Sequence, residues 1–263
     1  MAALSAVARL KPFSPNWPAR IGWLLLLIYL IYAVDYLDIS IERVIKGLDN
    51  GARFISNMFP PNITRWRILV SDLLESVEIA IVASAFGILL SLPVGLLAAR
   101  NMMPAGITWP TRAFIAVCRS FHPMIFAILF VKAVGFGPLP GVLTLIFATI
   151  GFIAKLFAEA VEEISLKPVE AARAAGAPFM SVICFAVLPQ VRNRFIGFSS
   201  YQLDVNLRNS TMLGIVGAGG IGGTLFAAFQ RFDYDFVSTI LIAIIISVMW
   251  SEWLALKLKE KFQ

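Results

Sequence analysis

Apolar runs long enough to cross a bilayer recur along this chain, separated by short polar stretches. A hydrocarbon core of about 30 Å takes about 20 helical residues, and the runs near 20–37, 72–98, 113–133, 139–160, 188–213 and 236–256 meet that requirement. The pattern predicts an all-α polytopic membrane protein with about six transmembrane helices. Between the first two runs, Ile41, Val44, Ile45, Leu48, Ala52 and Ile55 fall at helical intervals, which predicts an amphipathic helix lying at the outer interface. The run 188–213 is unusually polar, with Gln190, Arg192, Asn193, Arg194, Ser199, Ser200, Asp204, Asn206 and Arg208. Charges inside hydrocarbon are costly, so this helix is expected to line a wet interior. The organisation read from the pattern is an N-terminal span with an outer amphipathic segment over 1–71, then a transmembrane core over 72–263 that contains a polar loop at 162–187.

Composition agrees with a membrane protein. Hydrophobic residues make up 59% of the chain and charged residues 14%, against about 45–50% and about 25% in soluble domains. The net charge of +6 does not come from basic residues clustered with aromatics, so nucleic acid is not expected as a partner. The basic residues punctuate spans, and membrane lipid surrounds them. Arg9, Lys11 and Arg20, then Arg100 and Arg112, Lys167 and Arg173, and Lys257, Lys259 and Lys261 all fall on one side of a six-span chain. The positive-inside rule then makes both termini and the polar loop cytoplasmic. Segment 38–71 departs from the rule with Arg43, Lys46, Arg53, Arg65 and Arg67. No small-x-small cleavage pattern follows the first run, so it is read as a retained span. Cys118 and Cys184 lack metal or disulfide spacing and are read as packing residues.

The polar loop carries the most specific motif. Glu170, Ala171 and Ala172 are followed by Gly176 and then by Leu188-Pro189. Alanines favour helix, Gly176 permits a sharp turn, and Pro178 can begin the next helix; together they predict a rigid helix–turn–helix that can serve as a docking lug. The spacing resembles the E-A-A, three residues, G, nine residues, I-x-L-P signature of bacterial ABC importer permeases, with Ala186 standing where that family has Ile. The resemblance implies a type I, methionine-permease-like fold. It also implies an ATPase-coupling role for Glu170, Ala171, Ala172, Gly176, Leu188 and Pro189. The expected partners are ABC ATPase subunits, a second permease subunit in a homodimer, and a periplasmic substrate-binding protein. The chain has one histidine and lacks the G-x-S-x-G, H-E-x-x-H and G-x-x-x-x-G-K-[ST] motifs. It is therefore expected not to be an enzyme, to hold no metal or cofactor, and to leave ATP and Mg to the partner ATPase.

Gly217, Gly219 and Gly222 mimic a dinucleotide fingerprint with Asp235 downstream. That fingerprint needs a βαβ unit, whereas these glycines join two spans at the outer mouth. Together with Glu159, the Gly151 run and the stretch Asp204 to Gly214, the glycine block resembles the permeases that import phosphonate and related reduced-phosphorus oxyanions. Methionine permeases share a similar loop. Arg119-Ser-Phe-His122-Pro123 replaces the Arg-Ser-Ile-Pro-Glu of phosphonate permeases, which leaves room for a smaller anion such as phosphite or hypophosphite.

Arg119 and His122, three apart on one span, are expected to share a basic face suited to an oxyanion. The alternative pairs Arg119 with Glu75 or Glu78 and has His122 satisfying a backbone carbonyl. Arg208 is either an anion contact or the partner of Asp204. Asn209, Ser210 and Thr211, with Gly217, Gly219, Gly220 and Gly222, are expected either to line an outer gate or to pack closely. Lys132 and Lys155 are expected to snorkel. The rival class is an ion-coupled secondary transporter using Glu75, Glu78 and Asp204; such folds carry internal repeats, and none is visible here.

Overall fold

The computed structural model describes residues 17–37 and 40–262. Arg9 and Lys11, and the side chains of Lys259 and Lys261, lie outside the described part. The chain falls into two units that divide at Ser56 and Asn57.

The first unit holds α1 (Trp17–Tyr36) and α2 (Ile41–Asn57). α1 is apolar around its whole circumference, as a lipid-facing helix is. α2 is the expected amphipathic helix, with Glu42 and Lys46 paired one turn apart at 2.7 Å on its polar side.

The second unit is built around α3 (Trp66–Ala98), 33 residues long. Its buried positions are nearly all small: Ser76, Ala80, Ala83, Ser84, Gly87, Ser91, Gly95 and Ala98. Small residues let membrane helices approach closely. A Cβ on Gly87 would come within 2.6 Å of Thr149 Cβ, and one on Gly95 within 2.7 Å of the Phe157 ring. α3 is thus packed against the long span made of α6 (Pro138–Thr149), a π turn over Ile150–Ala154 and α7 (Lys155–Glu162).

The third expected span is broken. α4 (Ala105–Ser120) and α5 (Pro123–Val134) meet at 95°. Pro123 pushes the preceding residue out of the helical region, and Phe121 and His122 are both extended. The pair still carries the chain from one end of α3 to the other. Arg112 of α4 donates to the Ala98 carbonyl at 2.9 Å, while Gly137, just past α5, donates to Gly217 beside the opposite end. Among the described residues five helices are long and apolar enough to cross a membrane, or six when the bent pair is counted as one span.

After α7 come α8 (Lys167–Ala174), a turn at Gly176, and a long span of α9 (Phe179–Val182), a π turn over Ile183–Val187 and α10 (Leu188–Leu213). A short 3-10 turn, Gly214–Val216, leads through the glycines to α11 (Ile221–Gln230) and α12 (Tyr234–Phe262). The stretch 214–235 is therefore more than a glycine turn. α11 buries Ile221, Leu225 and Ala228 against Phe236, Val237 and Ile240 of α12.

The core also begins earlier than residue 72. Asn62 donates to the Asp235 carbonyl at 3.1 Å, Arg65 pairs with Asp233 and lies over the Phe236 ring, and Met58 joins the same apolar cluster. These bonds tie 57–71 to the second unit, and hydrophobic periodicity alone could not reveal them.

Candidate functional site

The E-A-A segment forms the expected helix–turn–helix. α8 turns only Val169 fully inward, with Ala172 partly covered; Glu170, Ala171, Arg173 and Gly176 are exposed. Gly176 has φ of +75°, a conformation that L side chains rarely adopt, and nothing lies within 4 Å of where a Cβ would stand. The turn is thus conformationally demanding and sterically open, which suits a surface that another subunit contacts. Beneath it, Val169, Val182 and Ala186 pack with Phe157 and Val161 of α7. Ala186, the departure from the motif, is buried in this cluster. Leu188 lies at its edge and follows the π turn directly, and Pro189, which has no N–H to donate, comes next in the first turn of α10.

A clip that sequence reasoning missed holds this unit to α10. The Gln190 side chain accepts from the Ser165 N–H at 3.1 Å and donates to the carbonyls of Ser165 at 3.3 Å and Ala186 at 2.6 Å. Arg194 pairs with Glu163. Both clip residues stood in the polar list for the fifth span, but only the fold shows that they face the loop.

At the same end of the molecule, α3, α4 and α7 enclose a cleft of about 420 Å³ lined by Ala98, Arg112, Ile115, Arg119, Lys155 and Glu159. Arg112 is fixed by Ala98 and by Glu162 at 2.6 Å. Lys155 lies 3.5 Å from Glu159. Arg119 is exposed and pairs with neither Glu75 nor Glu78. The expected shared face with His122 does not form, because the chain leaves the helix between them. His122 caps α5 instead, its Nδ1 accepting from the Met124 N–H at 3.3 Å.

The glycine turn reaches α3 at Ser76, about 33 Å along that helix from Ala98 at 1.5 Å per residue, whereas Arg208 lies nearer the middle, just past the Asn206 that bonds Ser84 and Thr149. Arg208 pairs with Asp204 at 3.2 Å, and Asp204 also accepts from Ser251 at 3.1 Å. Asn209 is half-buried. Ser210 and Thr211 are buried, and their hydroxyls donate to the Leu207 and Arg208 carbonyls at 2.8 and 2.7 Å. Gly217, Gly219 and Gly220 all have φ near +80°. This turn places the Ile221 N–H 2.9 Å from Ser76 Oγ, and Gly222 packs against the Thr211 carbonyl. In the single chain, the segment is closely packed.

Part of the polar α10 face is also dry. Asn206 donates to Ser84 at 2.9 Å and Thr149 at 2.8 Å and accepts from Gln202 at 2.9 Å, all fully or nearly buried. These residues join α3, α6 and α10, so the expected wet lining is restricted to exposed groups such as Arg192, Asn193 and Arg208.

Residues 91–254, which include the helix–turn–helix, the clip and the glycine turn, match the family described as binding-protein-dependent transport system inner membrane component. The chain belongs to that family. It is a multi-pass membrane protein of the ABC permease class. Among its relatives, the phosphate-import permease protein PhnE of Mycolicibacterium smegmatis is 44% identical over 73% of this chain, which spans 37% of that relative's length. The phosphite transport system permease protein PtxC of Stutzerimonas stutzeri is 36% identical over 91% of this chain and 88% of its own. A chain from the inward-facing MetNI methionine ABC transporter superposes with a TM-score of 0.67 at 23% identity, covering 77% of this permease and 99% of that chain. That likeness establishes the fold.

Proposed function

We propose that this permease carries a phosphonate, phosphite or hypophosphite anion inward, driven by ATP hydrolysed on a separate subunit. The observation that carries the proposal is the end-to-end similarity to a phosphite permease, 36% over 88% of that protein. In this reading two permease copies form the pathway and a periplasmic binding protein delivers the anion. The ATPase binds its own ATP and Mg and engages the exposed face of α8 and Gly176, so Glu170, Ala171, Ala172 and Gly176 are contact residues while Leu188 and Pro189 pass the motion to α10. Both termini are cytoplasmic. The chain itself is a conduit and catalyses no reaction. Arg208 and Asn209 toward the outer side, Arg119 toward the inner side, and the exposed Arg192 and Asn193 of α10 are the polar groups offered to the anion.

Uptake of labelled phosphite, hypophosphite, methylphosphonate and methionine, in cells expressing the permease with its binding protein and ATPase, tests the substrate. Accumulation of at least one phosphorus anion is expected. Accumulation of methionine alone overturns the proposal.

A further inference from the structure

The cleft between α4 and α7 has three cations and one of them is unspent. Arg112 is held by Ala98 and Glu162, and Lys155 has only the long contact with Glu159. Arg119 makes no hydrogen bond or ion pair among the described residues, yet its stem is held in place. A Cβ on Gly151, inside the π turn, would lie 2.8 Å from Arg119 Cγ. The glycine thus lets the arginine stem lie against the π turn, and Lys155 follows that turn immediately. Non-standard turns of this kind recur at functional positions.

Depth makes the free guanidinium significant. Gly151, against which Arg119 lies, is three turns above Glu162, about 16 Å along the helix. At such depth an unpaired arginine is costly and calls for an anionic partner. Arg112 and Arg119 are two turns apart and both reach the cleft, with Lys155 opposite. Against these three positive charges stand Glu159 and Glu162, so the site has one positive charge to spare. A monoanion balances it, and a guanidinium fork matches the tetrahedral oxygens of phosphorus acids.

We propose that this cleft is a binding site for a phosphorus oxyanion in the inner half of the permease, with Arg119 and Lys155 as its ligands and Arg112 and Glu159 setting its charge. Two sources share that chemistry: the anion passing inward, or the phosphodiester of an anionic lipid. Only the first source rests on the proposed transport function.

The test uses the full permease assembly in two arms. Labelled phosphite binding is measured in detergent, and phosphatidylglycerol retention is measured by native mass spectrometry after exchange into nanodiscs of phosphatidylglycerol and phosphatidylcholine. One probe should bind, and Arg119→Gln with Lys155→Gln should weaken it about tenfold or more, the loss expected for one charge-assisted hydrogen bond. Arg119→Lys, which keeps the charge and the packed stem, should retain more binding than Arg119→Gln. Phosphite binding identifies the passing anion, and phosphatidylglycerol binding identifies a lipid site. Binding of neither probe, or undiminished binding in the double variant, overturns the site. Uptake measured in parallel separates the claims: uptake without cleft binding removes the site and leaves transport, and cleft binding without uptake does the reverse.

Discussion

Ser210 and Asn206 lie one turn apart on α10, and both spend their polar groups inside the protein. The Ser210 hydroxyl is fully buried and bonded to the Leu207 carbonyl. Ser210→Ala should therefore leave the apparent affinity for the transported anion unchanged; a clear shift would return this residue to the pathway. Asn206 is costlier to lose, because Asn206→Leu strands Ser84, Thr149 and Gln202 in a dry core. A buried polar group left unpaired costs about 1–3 kcal/mol, so the midpoint of denaturant unfolding in micelles should fall, whereas Asn193→Leu on the exposed side should not lower it. The sequence left gate and packing both open for Ser210, and for Asn206 it pointed to a wet lining. A polar residue in an apolar run announces that it needs a partner, but the same signal precedes water, anion and side-chain partners alike. Gly176 was legible, because a positive φ restricts the residue type locally and needs no tertiary context.

Among elements, the helix–turn–helix and five of the spans could be read directly, since length, apolarity and capping are local properties. The broken third span was half visible. A proline at 123 marks a place where a helix weakens, but the 95° bend depends on two extended residues before it. The π turns at 150–154 and 183–187 leave no distinctive pattern, and α11 was hidden behind the glycines that precede it. The Gln190 clip belongs at this scale because it joins two elements. Its two hydrogen bonds to Ser165, about 1 kcal/mol each net of water, bind the loop ahead of α8 to the start of α10. Gln190→Leu should lower uptake while ATPase activity persists, with normal assembly. A proportional fall in both would show that the clip serves stability and not transmission.

For the whole molecule, the two ends of α3 divide the labour: an exposed docking lug and basic cleft at one end, a packed glycine turn at the other. The proposed sidedness, with the lug cytoplasmic, can be tested on the same division. Cys184 is exposed near the lug and Cys118 is buried, so a membrane-impermeant maleimide should label inside-out vesicles and spare right-side-out ones, and Cys184→Ala should remove the label. The opposite pattern would invert the topology. The central claim, that an external ATPase drives an oxyanion through this permease by way of α8, is tested most directly by ATP hydrolysis in proteoliposomes as binding protein loaded with phosphite, hypophosphite or methylphosphonate is added. The account predicts stimulated hydrolysis with at least one of these anions and its loss in Gly176→Asp, with the spans inserted normally. Stimulation that survives Gly176→Asp undiminished, or that only methionine elicits, would contradict it.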